Sequence, residues 1–175
     1  MGRVSGKVAL VTGAAMGMGK SHSELLAREG AHVFVTDREA AAGEAVAKGI
    51  VAAGGKADFI KHDVTSEDDW SKLIDAVRAK AGRLDILVNN AGILILKALH
   101  ETSPEEFDRV MNVNVKGVYL GIRAAVPLMK ESGKASIINI SSIYGIAGAA
   151  MAGAYISSKG AVRLMTKSCA VDLAD

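Results

Sequence analysis

A doubly wound α/β domain, a parallel sheet with helices on both faces, is predicted by three features of this sequence. Short β-branched apolar runs alternate with longer segments of helical period, and glycines punctuate the joins between them. The 175 residues are half hydrophobic, with 19 glycines and only two prolines. That composition suits a compact, single-core domain over 1–175 better than a fibrous or disordered chain.

The elements follow in order. Residues 7–12 (KVALVT) form a short buried strand, and 17–29 a helix stopped by Gly30. Residues 31–36 (AHVFVT) give a second strand, 39–53 an alanine-rich helix ended by Gly54 and Gly55, and 57–61 a third strand. Ser66 opens a helix whose stripe Trp70, Leu73, Ile74, Val77 and Ala81 faces the core, with Trp70 as its anchor. Residues 84–88 (LDILV) make the fourth strand. Ser103, Pro104 and Glu106 carry an N-cap, a first-turn proline and a capping box, starting a helix that is expected to run to about 129. Residues 135–140 (ASIINI) form the fifth strand, and a last helix begins near Gly153. Alternation of this kind implies right-handed crossovers and parallel strands.

Charge and composition exclude several functions. The net charge is +2, and the basic residues are scattered among acids, so no nucleic-acid surface is expected. No apolar run approaches the ~18 residues of a membrane span, and the N-terminus lacks a secretory signal. A cytoplasmic protein without membrane contact is expected. The lone Cys169 reads as a small buried hydrophobe, and the four histidines show no metal-ligand spacing, so no metal is expected.

Three places carry chemistry. Between the first strand and helix, Thr12–Gly19 reads TGAAMGMG. Glycines at a helix N-terminus let the backbone approach a pyrophosphate, although this spacing departs from G-x-G-x-x-G and a tight turn would also use glycines. Asp37, at the end of the second strand, stands where an acid accepts from the ribose hydroxyls of NAD and repels a 2′-phosphate. Arg38 beside it could serve such a phosphate, but the glycine loop adds no second cation, which favours NAD over NADP. Tyr155 and Lys159 share one helix face. An unperturbed phenol ionises near pH 10, and a neighbouring ammonium favours its phenolate, giving a usable proton donor and acceptor. Alone, a pair at this spacing mostly reflects a solvated helix face. Asn114 lies on the otherwise apolar stripe Phe107, Val110, Val118 and Gly121, where a buried amide needs partners.

Taken together, TGAAMGMG at 12–19, Asp63-Val64, Asn89-Asn90-Ala91-Gly92, Asn114 in MNVNVKG, Ser142 in INISS and Tyr155/Lys159 in YISSK resemble the short-chain dehydrogenase/reductases, from Lys7 to the last residue. The resemblance implies a Rossmann-type fold and an oxidoreductase exchanging hydride between NAD and a secondary alcohol or ketone. It implies Tyr155 as acid/base and Lys159 as the group that favours its phenolate and holds the nicotinamide ribose. Ser142 would bind the substrate oxygen, and Asn114 would support a water-linked proton path. Cofactor contacts would come from Gly13, Ala15, Met16, Gly17, Met18, Gly19, Asp37, Asp63, Val64, Asn90, Ala91 and Gly92, besides Tyr155 and Lys159. The apolar residues at 93–96 and 143–154 hint at an apolar, cyclic small-molecule substrate. An NADPH-dependent 3-oxoacyl-carrier-protein-type reductase and a non-catalytic dinucleotide-binding fragment are the alternatives. The family pattern continues with further strands and a substrate loop, so a C-terminally incomplete domain is expected. The resemblance also implies a homo-oligomer, dimer or tetramer, joined through the helices starting near Ser103 and Gly153.

Overall fold

A computed structural model describes residues 2–174; the two terminal residues of the expected domain lie outside them. Five parallel strands, β1 (Val8–Thr12), β2 (His32–Asp37), β3 (Lys56–Lys61), β4 (Ile86–Asn89) and β5 (Ser136–Asn139), form one sheet in the order β3-β2-β1-β4-β5. Helices α1 (Gly17–Arg28), α2 (Ala40–Ala52), α3 (Glu67–Ala81), α4 (Pro104–Met111), α5 (Gly117–Glu131) and α6 (Gly153–Asp172) connect or follow the strands.

Side-chain alternation divides the core. Leu10, Phe34 and Leu87 point to one face, where Trp70, Leu73 and Val77 of α3 and Leu120 and Leu128 of α5 cover them. Ala9, Val11, Val33, Val35 and Val88 point to the other, under Ala27 of α1 and Val46, Ala47 and Ile50 of α2. With both faces buried, the central strands read as continuous apolar runs, which is how they announce themselves in the sequence. β5 borders the sheet, and its Ser136 and Ile138 are exposed.

The expected caps are present. Gly30 and Gly54 take left-handed backbone after α1 and α2. The Ser66 Oγ accepts the Asp69 N–H at 3.1 Å, and Ser103 with Glu106 forms a reciprocal capping box.

The long helix after Ser103 differs from expectation. It is interrupted by a π-helical turn at Asn112–Lys116, where the Gly117 N–H reaches back to the Asn112 carbonyl. Its sequence, Asn-Val-Asn-Val, pairs β-branched residues with asparagines, a poor local helix former. The wider turn carries Asn114 into the core, where it is fully buried. Cys169 is half-buried on α6 rather than buried.

One buried carboxylate fixes the start of the sheet. Asp85, 1% exposed, accepts from the Val8 N–H at 2.9 Å, from Lys7 at 3.1 Å and from Arg83 at 2.6 and 2.9 Å. Desolvation pushes its carboxyl up, but Arg83, the Val8 N–H and Lys7 outweigh that and hold it below the usual range. Asp85→Ala should therefore cost about 1–3 kcal/mol, because it leaves the buried Val8 N–H without its acceptor, while Lys7 and Arg83, 37% and 43% exposed, stay solvated. Urea unfolding of the variant checks this, and a loss under about 0.5 kcal/mol would show that water replaces the carboxylate.

Candidate active site

The glycine loop and the loop after β4 are stitched together at the C-terminal end of the sheet. The Thr12 Oγ accepts the N–H groups of Asn90 (3.0 Å) and Ala91 (3.1 Å). The Asn90 amide returns two bonds, to the carbonyls of Thr12 at 2.9 Å and Gly13 at 3.0 Å. Gly13 (φ +61°) is left-handed, and a Cβ there would come within 2.8 Å of the Ala91 backbone. At Gly19 a Cβ would overlap the Gly13 carbonyl. Only glycine serves either position.

A groove of about 430 Å³ opens above this seam. It is lined by Gly13, Met16, Met18, Asp37, Asp63, Val64, Asn90, Ala91 and Gly92 among the expected cofactor residues. Ala15, Gly17, Gly19, Tyr155 and Lys159 do not line it. Ala15 is buried, and its N–H is committed to the Asp37 Oδ2 at 2.9 Å. The other Asp37 oxygen accepts the Glu39 N–H at 3.1 Å, so this carboxylate braces the glycine loop against β2. The N-terminus of α1 has no side-chain cap, in contrast to the serine-capped α3 and α4. Its unpaired first-turn N–H groups, the glycines that admit close approach and the adjoining groove fit a dinucleotide pyrophosphate.

His62 and Val113 also line the groove and were not singled out from sequence. Asp63 next to His62 is held ionised. Desolvation raises its carboxyl, but two bonds from Thr65, with Arg38 and His62 nearby, outweigh it and lower the value.

The chemistry of the other end gathers on α6. Lys159 is buried, its Nζ donates to the Ile140 carbonyl at 2.7 Å, and it lies 5.5 Å from the Tyr155 ring centroid. Burial lowers the Lys159 ammonium from its ordinary value. Both donors of Asn114 are committed: its Nδ2 donates to the Ile93 carbonyl and the Ser158 Oγ, while its Oδ1 accepts the Ile93 N–H at 2.8 Å. Ser158 donates in turn to the Tyr155 carbonyl at 2.6 Å. A Cβ on Gly92 would stand 3.4 Å from the Asn114 Oδ1 and 3.5 Å from the Lys159 Nζ, so the β4 loop, the π-turn and α6 meet at one point. Ser142 caps the short turn Ile143–Gly145, its Oγ accepting the Tyr144 N–H at 3.1 Å. That bond occupies a lone pair and leaves the hydroxyl proton for another acceptor.

Comparison with known proteins agrees with this arrangement. Residues 7–175 match the short chain dehydrogenase family. The chain is 54% identical over 174 residues to a cyclopentanol dehydrogenase of Comamonas sp. (strain NCIMB 9872), covering 99% of this chain and 70% of that protein.

The chain belongs to the short-chain dehydrogenases.

As such it is an NAD(P)-dependent oxidoreductase acting on CH–OH groups. An NADP-dependent (R)-specific alcohol dehydrogenase of Lentilactobacillus kefiri is 44% identical over 176 residues, covering 98% of this chain and 68% of its own length. A metagenomic short-chain oxidoreductase solved in complex with NADP superposes with a TM-score of 0.92 at 39% identity, over 97% of this chain and 77% of that one. Among the described residues of this short-chain dehydrogenase, no helix is long and apolar enough to cross a membrane, and no cluster of three metal-ligating side chains occurs.

His62 gives the fold a pH limit. The Thr36 hydroxyl donates to the Val11 carbonyl at 3.1 Å, so toward the His62 Nδ1, 3.4 Å away, it can only accept. The proton therefore sits on Nδ1, and the buried Nε2 has no partner among the described residues. Desolvation lowers this imidazole to about 4, against the opposing pull of Asp69, Asp63 and Asp37. The unfolded chain takes up the proton near pH 6.5, the folded chain only near 4. Stability is thus fully present above about pH 6.5 and falls as pH drops toward 4. Between about pH 7.5 and about pH 5 the loss should be about 2 kcal/mol, and His62→Gln should flatten that dependence. Urea midpoints at the two pH values check it.

Proposed function

We propose that this protein oxidises an apolar, cyclic secondary alcohol to the ketone, with NAD as its cofactor and Tyr155 as the acid/base. The observation that carries the reading is the convergence of Tyr155, Lys159, Asn114 and Gly92 beside the groove that begins at the glycine loop. Gly13, Met16, Gly17 and Met18 would hold the pyrophosphate, Asp37 the adenosine ribose, Asp63 and Val64 the adenine, and Asn90, Ala91 and Gly92 the middle of the dinucleotide. Ala15 and Gly19 act from behind that surface, by bracing Asp37 and by close packing. When bound, the nicotinamide supplies the acceptor for the hydride that leaves the carbinol carbon.

The side chains manage the proton. Tyr155 takes the hydroxyl proton of the alcohol, and Lys159 lies beside its ring, with Nζ 5.5 Å from the centroid. Its remaining donors are available to the nicotinamide ribose. Ser142 offers its free hydroxyl proton to the substrate oxygen, where the Tyr144 N–H orients it. Asn114 holds the loop at Ile93 against Ser158 and so sets the spacing between β4 and α6.

Leu94 and Leu96 after β4 and Ile143, Ile146 and Met151 after β5 are exposed apolar side chains, which supports a cyclic hydrocarbon alcohol like the one named for the Comamonas relative. The Asp37 charge supports NAD, although the Lentilactobacillus relative is NADP-dependent. Exposed Tyr119 on α5 and Leu164 on α6 support a homotetramer joined through these helices, and the cofactor pool of the cytoplasm is the setting this reading implies.

Two results test the reading in the full-length protein. Tyr155→Phe should reduce turnover of cyclopentanol at least about a hundredfold while the NAD dissociation constant moves less than about twofold, since only the proton-transfer group is lost. Retention of a tenth of the activity would remove Tyr155 from the mechanism. Asp37→Ser should weaken NAD binding and narrow the preference over NADP. The two dissociation constants check it, and an unchanged ratio would leave Asp37 as a brace of the glycine loop alone.

A further inference from the structure

We propose that the first turns of α3, through Asp69 and Trp70, position the edge of the groove that reads the adenine base. The inference rests on the placement of adenine at Asp63 and Val64 given above. Neither Asp69 nor Trp70 lines the groove; both act through the loop that does.

That loop leaves β3 and is held from two sides. On the α3 side, the Asp63 N–H donates to the Asp69 Oδ2 at 2.9 Å, and the Trp70 indole N–H donates to the Val64 carbonyl at 3.0 Å. The Asp69 backbone is itself fixed by the Ser66 cap. Trp70 is 1% exposed and meets the His62 ring edge-on at 4.3 Å, so the indole also backs a second groove residue. On the α5 side, a Cβ on Gly117 would approach Val64 Cγ2 to 2.9 Å, and one on Gly121 would approach the indole to 2.8 Å. The loop is therefore clamped between two helices by paired hydrogen bonds and close packing.

The clamp has a chemical consequence. Thr65 donates both its N–H (2.9 Å) and its hydroxyl (2.8 Å) to the Asp63 Oδ1. The second oxygen, Oδ2, has no hydrogen bond among the described residues and is left as an ionised acceptor at the groove. An acceptor held there suits the exocyclic amine of adenine and repels the carbonyl oxygen that hypoxanthine carries at the same place. A loop free to turn the carboxylate by some tens of degrees would lose that discrimination, because hydrogen bonds weaken steeply below about 120°. Asp69 and Trp70 are positioning residues for base selectivity.

Calorimetric titration with NAD and with nicotinamide hypoxanthine dinucleotide, on the full-length protein, tests this without any turnover. The parent should bind NAD roughly tenfold more tightly than the hypoxanthine analogue. Asp69→Ala should reduce that ratio to within about twofold of unity, mainly by weakening NAD, and Asp69→Asn, whose amide oxygen still accepts the Asp63 N–H, should restore it. Trp70→Phe, which keeps a ring and loses the indole donor, should move the ratio in the same direction. Asp85→Ala, destabilised at the far end of the sheet, should keep the parent ratio. An undiminished ratio in both Asp69→Ala and Trp70→Phe overturns the positioning role, as does an equal fall in Asp85→Ala. A parent that does not discriminate overturns instead the placement of adenine at Asp63.

Discussion

The seam between β1 and β4 is the constraint on which the rest of the structure depends. In the order β3-β2-β1-β4-β5 the winding reverses between these two strands, so the following segments leave toward opposite faces and a crevice opens at their C-terminal ends. A crevice between diverging segments exposes backbone groups that the sheet no longer pairs. Thr12 and Asn90 take up four of them, the N–H groups of Asn90 and Ala91 and the carbonyls of Thr12 and Gly13. The glycine loop can then curl over the seam, because Gly13 and Gly19 carry no Cβ to collide with it. Asp37 completes the brace from β2 through Ala15. A pyrophosphate approach is thus a product of how the sheet ends, and the groove owes its depth to side chains that themselves face the protein.

The same logic extends to the reacting end. Burying the Lys159 ammonium is costly, and a single carbonyl at 2.7 Å only partly compensates it. The Tyr155 ring centroid lies 5.5 Å from that ammonium, an arrangement that suits the role proposed for the pair. Asn114 meets the opposite demand, a neutral amide that satisfies three partners and ties the β4 loop to α6. A regular α-turn would not set its side chain in this way, which gives the π-turn at Asn112–Lys116 a physical reason. The wider turn thereby sets the spacing between the loop after β4 and α6.

How far this was legible in the sequence depends on the range of the interaction. Strands with both faces buried, the Ser66 and Ser103 caps and the glycine stops are local patterns, and they lie within a residue or two of where they were expected. That Tyr155 and Lys159 share a helix face and that Asn114 is buried were legible, because helical period fixes which residues lie together. The π-turn was missed, although its Asn-Val-Asn-Val run is a weak helix former, because an apolar stripe on either side implied continuity. His62 was passed over because one histidine without ligand spacing carries no pattern; only its burial against Thr36 and Trp70 gives it meaning. The commitment of Ala15 to Asp37 and of Trp70 to Val64 depends on backbone groups, which every residue has and no sequence displays.

The segment before Tyr155 shows how such long-range ties reach the chemistry. Met151 is the one non-glycine residue with left-handed backbone among those described, at φ +60°, which costs a side-chain-bearing residue about 1 kcal/mol. It persists because its surroundings over-determine it. Its carbonyl accepts the Lys97 N–H at 2.7 Å, and Ala152 pairs with Lys97 in an isolated bridge. The Lys97 ammonium in turn holds Glu106, whose carboxylate already closes the capping box of α4. Gly153 follows with a Cβ position that Leu99 would fill. The start of α6 is thereby referenced to the loop after β4 and to the cap of α4, rather than to its own local sequence. Since Tyr155 stands in the first turn of α6, its backbone is referenced to Lys97 and, through Lys97, to Glu106.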